Sequence, residues 1–211
     1  MRGEPFHLID EAVYVGSCPR PEGVPQLEMA GITHVVSCLR EDERTKVAFL
    51  SEHFHVLFLP VHDGMHEDIA SVFPAFFDFA TLVRRTPGAR LLVHCQAGVS
   101  RSGTLATALH MRNQRSSFFD AVTHVRTKRP AILPNIGFAS QLQALERALH
   151  PDGGPPAVPS SLARYLREVC CVPAEVDVIQ DMLVRHHDDA PTAIQAIFGG
   201  EIPRVVQGVR D

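Results

Sequence analysis

The sequence predicts an α/β protein: a central, mostly parallel sheet flanked by helices over residues 1–150, followed by a small helical module. Strand-like and helix-like segments alternate along these 150 residues, which is the order of elements that builds a parallel sheet. Residues 151–160 contain four prolines and two glycines, and this composition indicates a linker. Three short helical patterns within residues 161–211 then predict a three-helix module.

The first half of the predicted domain contains three strands and one helix. Residues 9–15, 32–39 and 54–61 are rich in apolar residues and are predicted as strands. The helical pattern of residues 22–30 is followed by Gly31, a residue that commonly ends a helix.

An amphipathic helix and a buried strand come next. Apolar residues recur at steps of three and four from residue 69 to residue 83, which predicts the helix. Pro74 lies inside this pattern and predicts a late start or a bend, because proline has no backbone N–H. The apolar run 91–93 predicts the strand, and a helical pattern from Arg101 to about residue 113 follows it after a short loop.

Two further helices complete the domain. One covers the apolar pattern of residues 118–125 and is ended by Pro130. The other begins after Asn135, whose side chain is suited to an N-cap. In the module, helices are predicted at residues 161–172, 174–187 and 191–198.

Composition limits the class of protein. The 211 residues are 45% hydrophobic, which is enough for one substantial core and a small module. We expect neither a membrane span nor a secretion signal, because no apolar run approaches the required length and the N-terminus has no apolar segment. Five cysteines, an odd number, fit reduced thiols in the cytoplasm or nucleus. No basic stripe indicates a nucleic-acid partner.

Residues 94–102, His-Cys-Gln-Ala-Gly-Val-Ser-Arg-Ser, are the most informative segment. A predicted strand ends at His94-Cys95 and a helix begins at Arg101, so a short loop leads into a helix N-terminus. Unpaired N–H groups and the positive end of the helix dipole make such a position suited to anions. We expect the phosphate-binding loop to comprise Gln96, Ala97, Gly98, Val99, Ser100 and Arg101.

Three residue types in this segment match the chemistry of a phosphate monoester. Gly98 tolerates the positive φ of a tight loop. The planar guanidinium of Arg101 can contact two phosphate oxygens. A helix N-terminus and a nearby cation favour the thiolate form of a cysteine, which makes Cys95 the expected nucleophile.

The Cys-x5-Arg pattern of Cys95 and Arg101 resembles that of the protein tyrosine phosphatases, specifically their small dual-specificity branch. The resemblance covers roughly residues 8–149 and includes Val-Gly-Ser at 15–17 and Gly-Ile-Thr-His-Val-Val at 31–36. It implies a metal-independent phosphatase without cofactor that acts on phosphotyrosine and phosphoserine or phosphothreonine in proteins, through a phosphocysteine intermediate.

The resemblance also assigns supporting residues. Asp63 stands just past a predicted strand, where the family has the general acid; Glu67 and Asp68 are rivals better suited to capping a helix. Ser102 stands where the family has a hydroxyl that assists departure of the thiolate. Asn135 lies in a Pro-Asn-x-Gly-Phe segment, and in the family this asparagine supports the phosphate-binding loop.

Two other supporting residues are expected from their positions. His94 is expected to bond backbone near the loop and to tune it. In some relatives a cysteine near the position of Cys38 forms a reversible disulfide with the nucleophile, which makes Cys38 a candidate redox partner of Cys95.

Other functions stay open. The segment from Val15 to Arg20 also resembles the start of glucan phosphatases, although the chain has no tryptophan for a sugar platform. A lipid phosphatase and a catalytically silent phospho-binding or adaptor protein are the further alternatives. The twelve histidines lack zinc-finger spacing, so no metal site is expected.

The helical pattern of residues 161–211 loosely resembles ubiquitin-associated domains, which implies ubiquitin, or alternatively a helical protein, as a partner. The chain departs from that family at Cys171-Val172-Pro173, where a Met-Gly-Phe or Met-Phe-Pro loop is usual. The alternative is that these helices pack on the preceding domain.

Overall fold

A computed structural model describes residues 5–151 and 159–200 of the protein. Five strands form one sheet in the order β1-β2-β5-β3-β4. Strand β5 pairs in parallel with both β2 and β3, and β3 pairs in parallel with β4. The predicted mostly parallel sheet is therefore confirmed. The strands are β1 (Phe6–Asp10), β2 (Val13–Gly16), β3 (His34–Leu39), β4 (His55–Pro60) and β5 (Leu91–His94).

The first predicted strand, residues 9–15, is wrong in its extent. The chain turns at Glu11-Ala12, and β1 and β2 form an antiparallel hairpin around this turn. The two residues of the turn separate two apolar segments that the apolar pattern alone predicts as one strand. The helices are α1 (Val24–Met29), α2 (Phe73–Arg85), α3 (Arg101–Gln114), α4 (Phe118–Lys128), α5 (Ile136–Leu149), α6 (Ser161–Arg164), α7 (Val176–Arg185) and α8 (Ala190–Phe198).

Helix α2 begins late, as Pro74 predicts. A 3-10 turn at Ala70–Val72 precedes it, and Pro74 lies in its first turn, where no intrahelical N–H is needed. A 3-10 helix at Glu41–Glu52 was not predicted, because its charged sequence lacks an apolar period. Two ion pairs, Arg44 with Glu41 and Lys46 with Glu43, each join residues three positions apart, which matches the repeat of a 3-10 helix.

The sheet separates two apolar cores. Leu91 and Val93 of β5 face the larger core under α2 to α5, whereas Leu92 faces the smaller core under α1 and the 3-10 helix. This alternation follows from the two-residue period of a strand. All four residues of β5, the strand that leads into the loop of Cys95, are buried, and β5 is the middle strand of the five.

The C-terminal helices pack against α4 and α5 of the preceding domain. Leu162 and Tyr165 are fully buried in the same core cluster as Phe118 and Phe138. At Tyr165–Val169 a π-helical turn continues α6. Residues 152–158 of the predicted linker and residues 201–211 of the predicted module lie outside the described residues, as do residues 1–4. None of the helices in the described ranges is both long enough and apolar enough to span a bilayer.

Candidate active site

The predicted phosphate-binding loop connects β5 to α3 at the carboxyl edge of the sheet. Strand β5 ends at His94 and α3 begins at Arg101, so residues 95–100 form the loop. In open α/β sheets, ligands bind in the crevice outside the carboxyl ends of the strands. The strand, loop and helix predicted from the sequence are therefore present in the order that the chemistry requires.

Cys95 is buried at the base of this loop. Its Sγ accepts a hydrogen bond from the backbone N–H of Gly98 at 3.3 Å and lies 3.3 Å from the Oγ of Ser102. A backbone N–H and a hydroxyl directed at one sulfur stabilise negative charge there. The structure thus brings the predicted nucleophile together with the predicted thiolate-assisting hydroxyl.

Gly98 allows the loop to pack against the end of β2. Its φ is +69°, and a Cβ at this position would lie 2.5 Å from the carbonyl oxygen of Gly16. Both the backbone conformation and the close approach of the two chain segments therefore require glycine.

Arg129 is a supporting residue that the sequence analysis missed. Its Nε donates to the carbonyl oxygen of Gly98 at 2.9 Å, and its Nη1 lies 2.9 Å from Nδ1 of His7. The guanidinium is largely buried, and burial lowers the pKa of Arg129 while the nearby Cys95 opposes this shift. A buried positive charge that holds the loop adds to the attraction for a phosphate anion.

Arg101 connects the loop to the segment that carries Asp63. Its guanidinium is buried, its Nη1 donates to the carbonyl oxygen of Val61 at 3.1 Å, and its Nε lies 3.5 Å from Oδ2 of Asp63. The predicted phosphate ligand and the predicted general acid therefore lie side by side.

Asp63 is held by two further donors. Ser100 Oγ donates to its Oδ1 at 2.7 Å, and Asn135 Nδ2 donates to the same oxygen at 3.0 Å. About one third of the Asp63 side chain is exposed, so substrate can reach it. The rival Asp68 instead accepts the backbone N–H of Ser71 at 3.1 Å, in a capping arrangement.

Asn135 occupies both of the places expected of it. Its Oδ1 accepts the N–H of Phe138 at 2.9 Å as the N-cap of α5. Its backbone N–H donates to Ser100 Oγ at 3.1 Å. One residue thus begins the last helix of the domain and contacts both the phosphate-binding loop and Asp63.

The acid loop, defined here as residues 61–70, rests on α5 through two residues that the sequence analysis had not assigned to the site. A Cβ on Gly137 would lie 1.7 Å from the carbonyl oxygen of Met65, so only glycine permits this approach. Gln141 donates through Nε2 to the carbonyl oxygen of Glu67 and accepts the N–H of Ala70 through Oε1, each at 2.8 Å.

His94 joins two strands below the loop. Its Nε2 lies 2.8 Å from Ser37 Oγ, and the ring is fully buried. Burial is the main cause that lowers the pKa of His94 to about 4; a hydrogen bond with the Cys95 backbone opposes this shift and the charge of Arg101 adds to it, so the ring is neutral near pH 7. A neutral, buried imidazole bonded to a neighbouring strand has a supporting position rather than that of a proton carrier.

Cys38 lies under the site. In the parallel register Ser37 of β3 stands opposite His94 of β5. The residues that directly follow this pair are Cys38 and Cys95. Burial raises the pKa of the Cys38 thiol, and the nearby Cys95 contributes in the same direction. The candidate redox partner is therefore a neighbour of the predicted nucleophile.

Within the described ranges, one group of side chains could in principle hold a metal ion: Asp10, His110 and His124, whose ligand atoms lie within 4.8 Å of one another. The carboxylate of Asp10 lies 3.1 Å from Nδ1 of His110 and 3.0 Å from Nε2 of His124. The two rings stack 4.2 Å apart at an angle of 16°. The two rings are nearly parallel, and each directs one nitrogen at the Asp10 carboxylate. The three side chains thus form a hydrogen-bonded connection between β1, α3 and α4.

Comparison with known proteins agrees with this geometry. Residues 13–148 match the family described as dual specificity phosphatase, catalytic domain. Rat dual specificity protein phosphatase 5 is 32% identical over 156 residues, covering 74% of this chain and 38% of the relative. Bovine dual specificity protein phosphatase 26 is 36% identical over 138 residues, covering 65% of each chain.

Solved structures of similar proteins also superpose on this chain. The human tyrosine phosphatase-like serine/threonine/tyrosine-interacting protein superposes with a TM-score of 0.64 at 29% identity, covering 68% of this chain and 96% of that one. Human DUSP28 superposes with a TM-score of 0.61 at 32% identity, covering 70% and 96%. The chain spans only 38% of the length of the phosphatase 5 relatives, and the family match ends before the C-terminal helices.

Proposed function

The chain belongs to the dual specificity phosphatase family, and from this membership we propose that it hydrolyses phosphate monoesters of tyrosine, serine and threonine in proteins. The observation that carries the proposal is the environment of Cys95, whose sulfur has the Gly98 N–H and the Ser102 hydroxyl at 3.3 Å beneath a helix N-terminus. The N–H and the hydroxyl directed at this sulfur stabilise the negative charge that it carries as nucleophile and as leaving group.

The first step transfers the phosphoryl group to sulfur. The Cys95 thiolate attacks phosphorus while the loop amides and Arg101 bind the phosphate oxygens. Asp63, next to Arg101 at 3.5 Å, gives a proton to the leaving oxygen as the P–O bond breaks. Positive charge and backbone donors thus supply the neutralisation of the phosphate that other phosphatases obtain from metal ions.

The second step hydrolyses the phosphocysteine. Water attacks phosphorus, and ionised Asp63 accepts its proton, which reverses its role in the first step. The P–S bond breaks and Cys95 leaves as a thiolate. Ser102, with its Oγ 3.3 Å from that sulfur, donates a hydrogen bond to the developing charge.

Hydrolysis of an aryl phosphate between pH 5 and pH 8 tests the proposal. We expect turnover by the wild type, none by Cys95→Ser, and slow turnover by Asp63→Ala, since general acids contribute about 10²–10⁴-fold. A folded, reduced wild type that binds vanadate without turnover would establish the alternative, a phospho-binding adaptor. Phosphotyrosine and phosphothreonine peptides, compared with a phosphoinositide and a phosphorylated glucan, then identify the substrate class.

Two further proposals concern the surroundings of the enzyme. A reducing compartment, cytoplasm or nucleus, is proposed because Cys95 reacts only as a free thiolate. Ubiquitin or, alternatively, a helical protein is proposed as a partner of the C-terminal helices, which expose Val184 and Phe198. Titration of isotope-labelled ubiquitin with the whole chain tests whether the C-terminal helices bind ubiquitin. Ubiquitin resonances that do not move at millimolar concentration of the chain would exclude ubiquitin as the partner.

A further inference from the structure

A short segment between α4 and α5 contacts both the phosphate-binding loop and Asp63 of the candidate site. This segment, residues 129–135, is called the strap below. Arg129 Nε donates to the Gly98 carbonyl at 2.9 Å, and the N–H of Leu133 donates to the Val99 carbonyl at 3.2 Å. At its end, Asn135 contacts Ser100 and Asp63. The inner side of the strap therefore positions the phosphate-binding loop and the acid together.

A tyrosine of the C-terminal helices holds the strap from its other side. Tyr165 is fully buried, and its hydroxyl donates to the carbonyl oxygen of Pro134 at 2.6 Å. Burial raises the pKa of Tyr165, and the neighbouring Cys170 raises it further, so the hydroxyl keeps its proton and acts as a donor. Residue 165 lies beyond the part of the chain that matches the family.

The position of Tyr165 is itself well defined by packing. Its ring lies 5.1 Å from that of Phe118 in α4. The N–H of Leu162 in the same helix donates to Gln143 Oε1 of α5 at 2.8 Å, and the guanidinium of Arg164 stacks 3.7 Å above the ring of Phe119. The hydroxyl is therefore presented to the strap by a helix that is anchored on both sides.

A single peptide unit joins Tyr165 to the acid. The carbonyl of Pro134 and the N–H of Asn135 belong to one planar peptide group, so fixing one end fixes the orientation of the other. Tyr165 holds the carbonyl end at 2.6 Å, and Ser100 Oγ accepts from the N–H end at 3.1 Å. Ser100 in turn donates to Asp63 at 2.7 Å. All three hydrogen bonds run in the same direction, and bonds aligned in this way strengthen one another.

We propose that Tyr165 is a positioning residue for Asp63, so that the C-terminal helices form part of the catalytic unit. This inference rests on the proposed phosphatase activity. The Tyr165 hydroxyl sets the plane of the Pro134–Asn135 peptide, and that plane sets the place of Ser100 and of the general acid.

The variant Tyr165→Phe removes the hydroxyl and keeps the ring that packs on Phe118. We expect kcat/KM for phenyl phosphate, whose leaving group needs a proton, to fall about fivefold, the factor that a hydrogen bond of ordinary net strength represents. For 4-nitrophenyl phosphate, whose leaving group departs with little help, we expect a fall below about twofold. A purely structural loss of folded enzyme lowers both values equally.

Tyr14→Phe is the matched control. It removes a hydroxyl that accepts a hydrogen bond from Arg90 at 3.2 Å, outside the strap. We expect this variant to treat the two substrates alike. The melting temperatures of both variants show whether each is folded at the assay temperature.

Amide hydrogen exchange gives a readout that does not depend on turnover. In Tyr165→Phe we expect faster exchange at Asn135 and Leu133, and in Tyr14→Phe no change there. Equal losses on both substrates, or unchanged exchange at Asn135, would overturn the role of Tyr165. An inactive wild type would instead overturn the proposed function, so the two failures are distinguishable.

Discussion

The backbone carbonyl of Met65 lies where a side chain on Gly137 would have to be, 1.7 Å from the place of its Cβ. This contact brings the acid loop against α5, and Gln141 adds two hydrogen bonds of 2.8 Å to the same loop. A glycine and a glutamine that take no part in the proposed chemistry thus help to position the loop that carries Asp63.

Gly137→Ala should displace the acid loop. Because the clash is with backbone rather than with a flexible side chain, relief requires movement of the chain, at a cost of about 1–3 kcal/mol in the free energy of unfolding. We expect kcat/KM for phenyl phosphate to fall at least tenfold. Gly23→Ala is the control, since a Cβ there meets nothing within 4 Å. Normal kinetics in Gly137→Ala would contradict the assigned role of the contact.

Ser102→Ala should slow the second chemical step more than the first. A hydrogen bond to a charged group contributes about 1.5–3 kcal/mol, so we expect kcat to fall roughly 10- to 100-fold. The measurement is rapid mixing with 4-nitrophenyl phosphate. If the second step is slow, phosphocysteine accumulates, and its formation is seen as an initial burst of released nitrophenol. Thr107→Ala serves as control, because its hydroxyl bonds the Gly103 carbonyl within α3. A fall in the steady-state rate without a burst would contradict a role of Ser102 in the second chemical step.

Mild peroxide should join Cys38 to Cys95. Peroxide converts the Cys95 thiolate to a sulfenic acid, and the Cys38 thiol then displaces water to form the disulfide. The two cysteines directly follow the paired residues Ser37 and His94, and neighbouring strands lie about 5 Å apart, a spacing that a disulfide can bridge. Peptide mapping by mass spectrometry detects the bond, and a reductant should restore activity. In Cys38→Ala we expect irreversible overoxidation of Cys95; reversible inactivation of that variant would exclude the pairing.

Stability should fall as pH drops from about 6.5 towards 4 because of His94. The folded protein keeps this buried ring neutral, with its pKa lowered to about 4, whereas the unfolded chain binds a proton near pH 6.5. The unfolded state therefore binds more protons in this window, and the free energy of unfolding rises with pH there. The difference amounts to roughly 3 kcal/mol. Urea unfolding at several pH values measures it, and His94→Asn should show a weaker dependence; an equal slope would assign the effect to other groups.

The parts of the site that are contiguous in sequence could be predicted from a local pattern, whereas Asp63 and Asn135 were expected only through the family resemblance, and other distant contacts could not be predicted. Cys95, Arg101 and Ser102 lie within one strand, loop and helix whose pattern is local. Arg129 and Tyr165 could not be assigned, because their partners, the carbonyls of Gly98 and Pro134, are backbone atoms whose proximity depends on packing. Sequence records the type of a side chain but not which distant carbonyl it will meet.

The same distinction applies to the fold. Strands and helices with a clear apolar period were predicted, including the late start of α2 at Pro74. The hairpin between β1 and β2 was missed because its turn contains neither glycine nor proline, and the 3-10 helix at Glu41–Glu52 because its charges form no period.

Strand β5 has one further consequence, for the order in which the molecule comes apart. Its four residues are buried, it is paired on both edges, and its side chains enter both cores. Segments of this kind open only with the whole molecule, whereas surface segments open locally. The loop of Cys95 is attached to such a segment, so we expect its backbone to keep its place through partial openings at the periphery. The backbone that carries Cys95 therefore unfolds only with the entire cooperative unit.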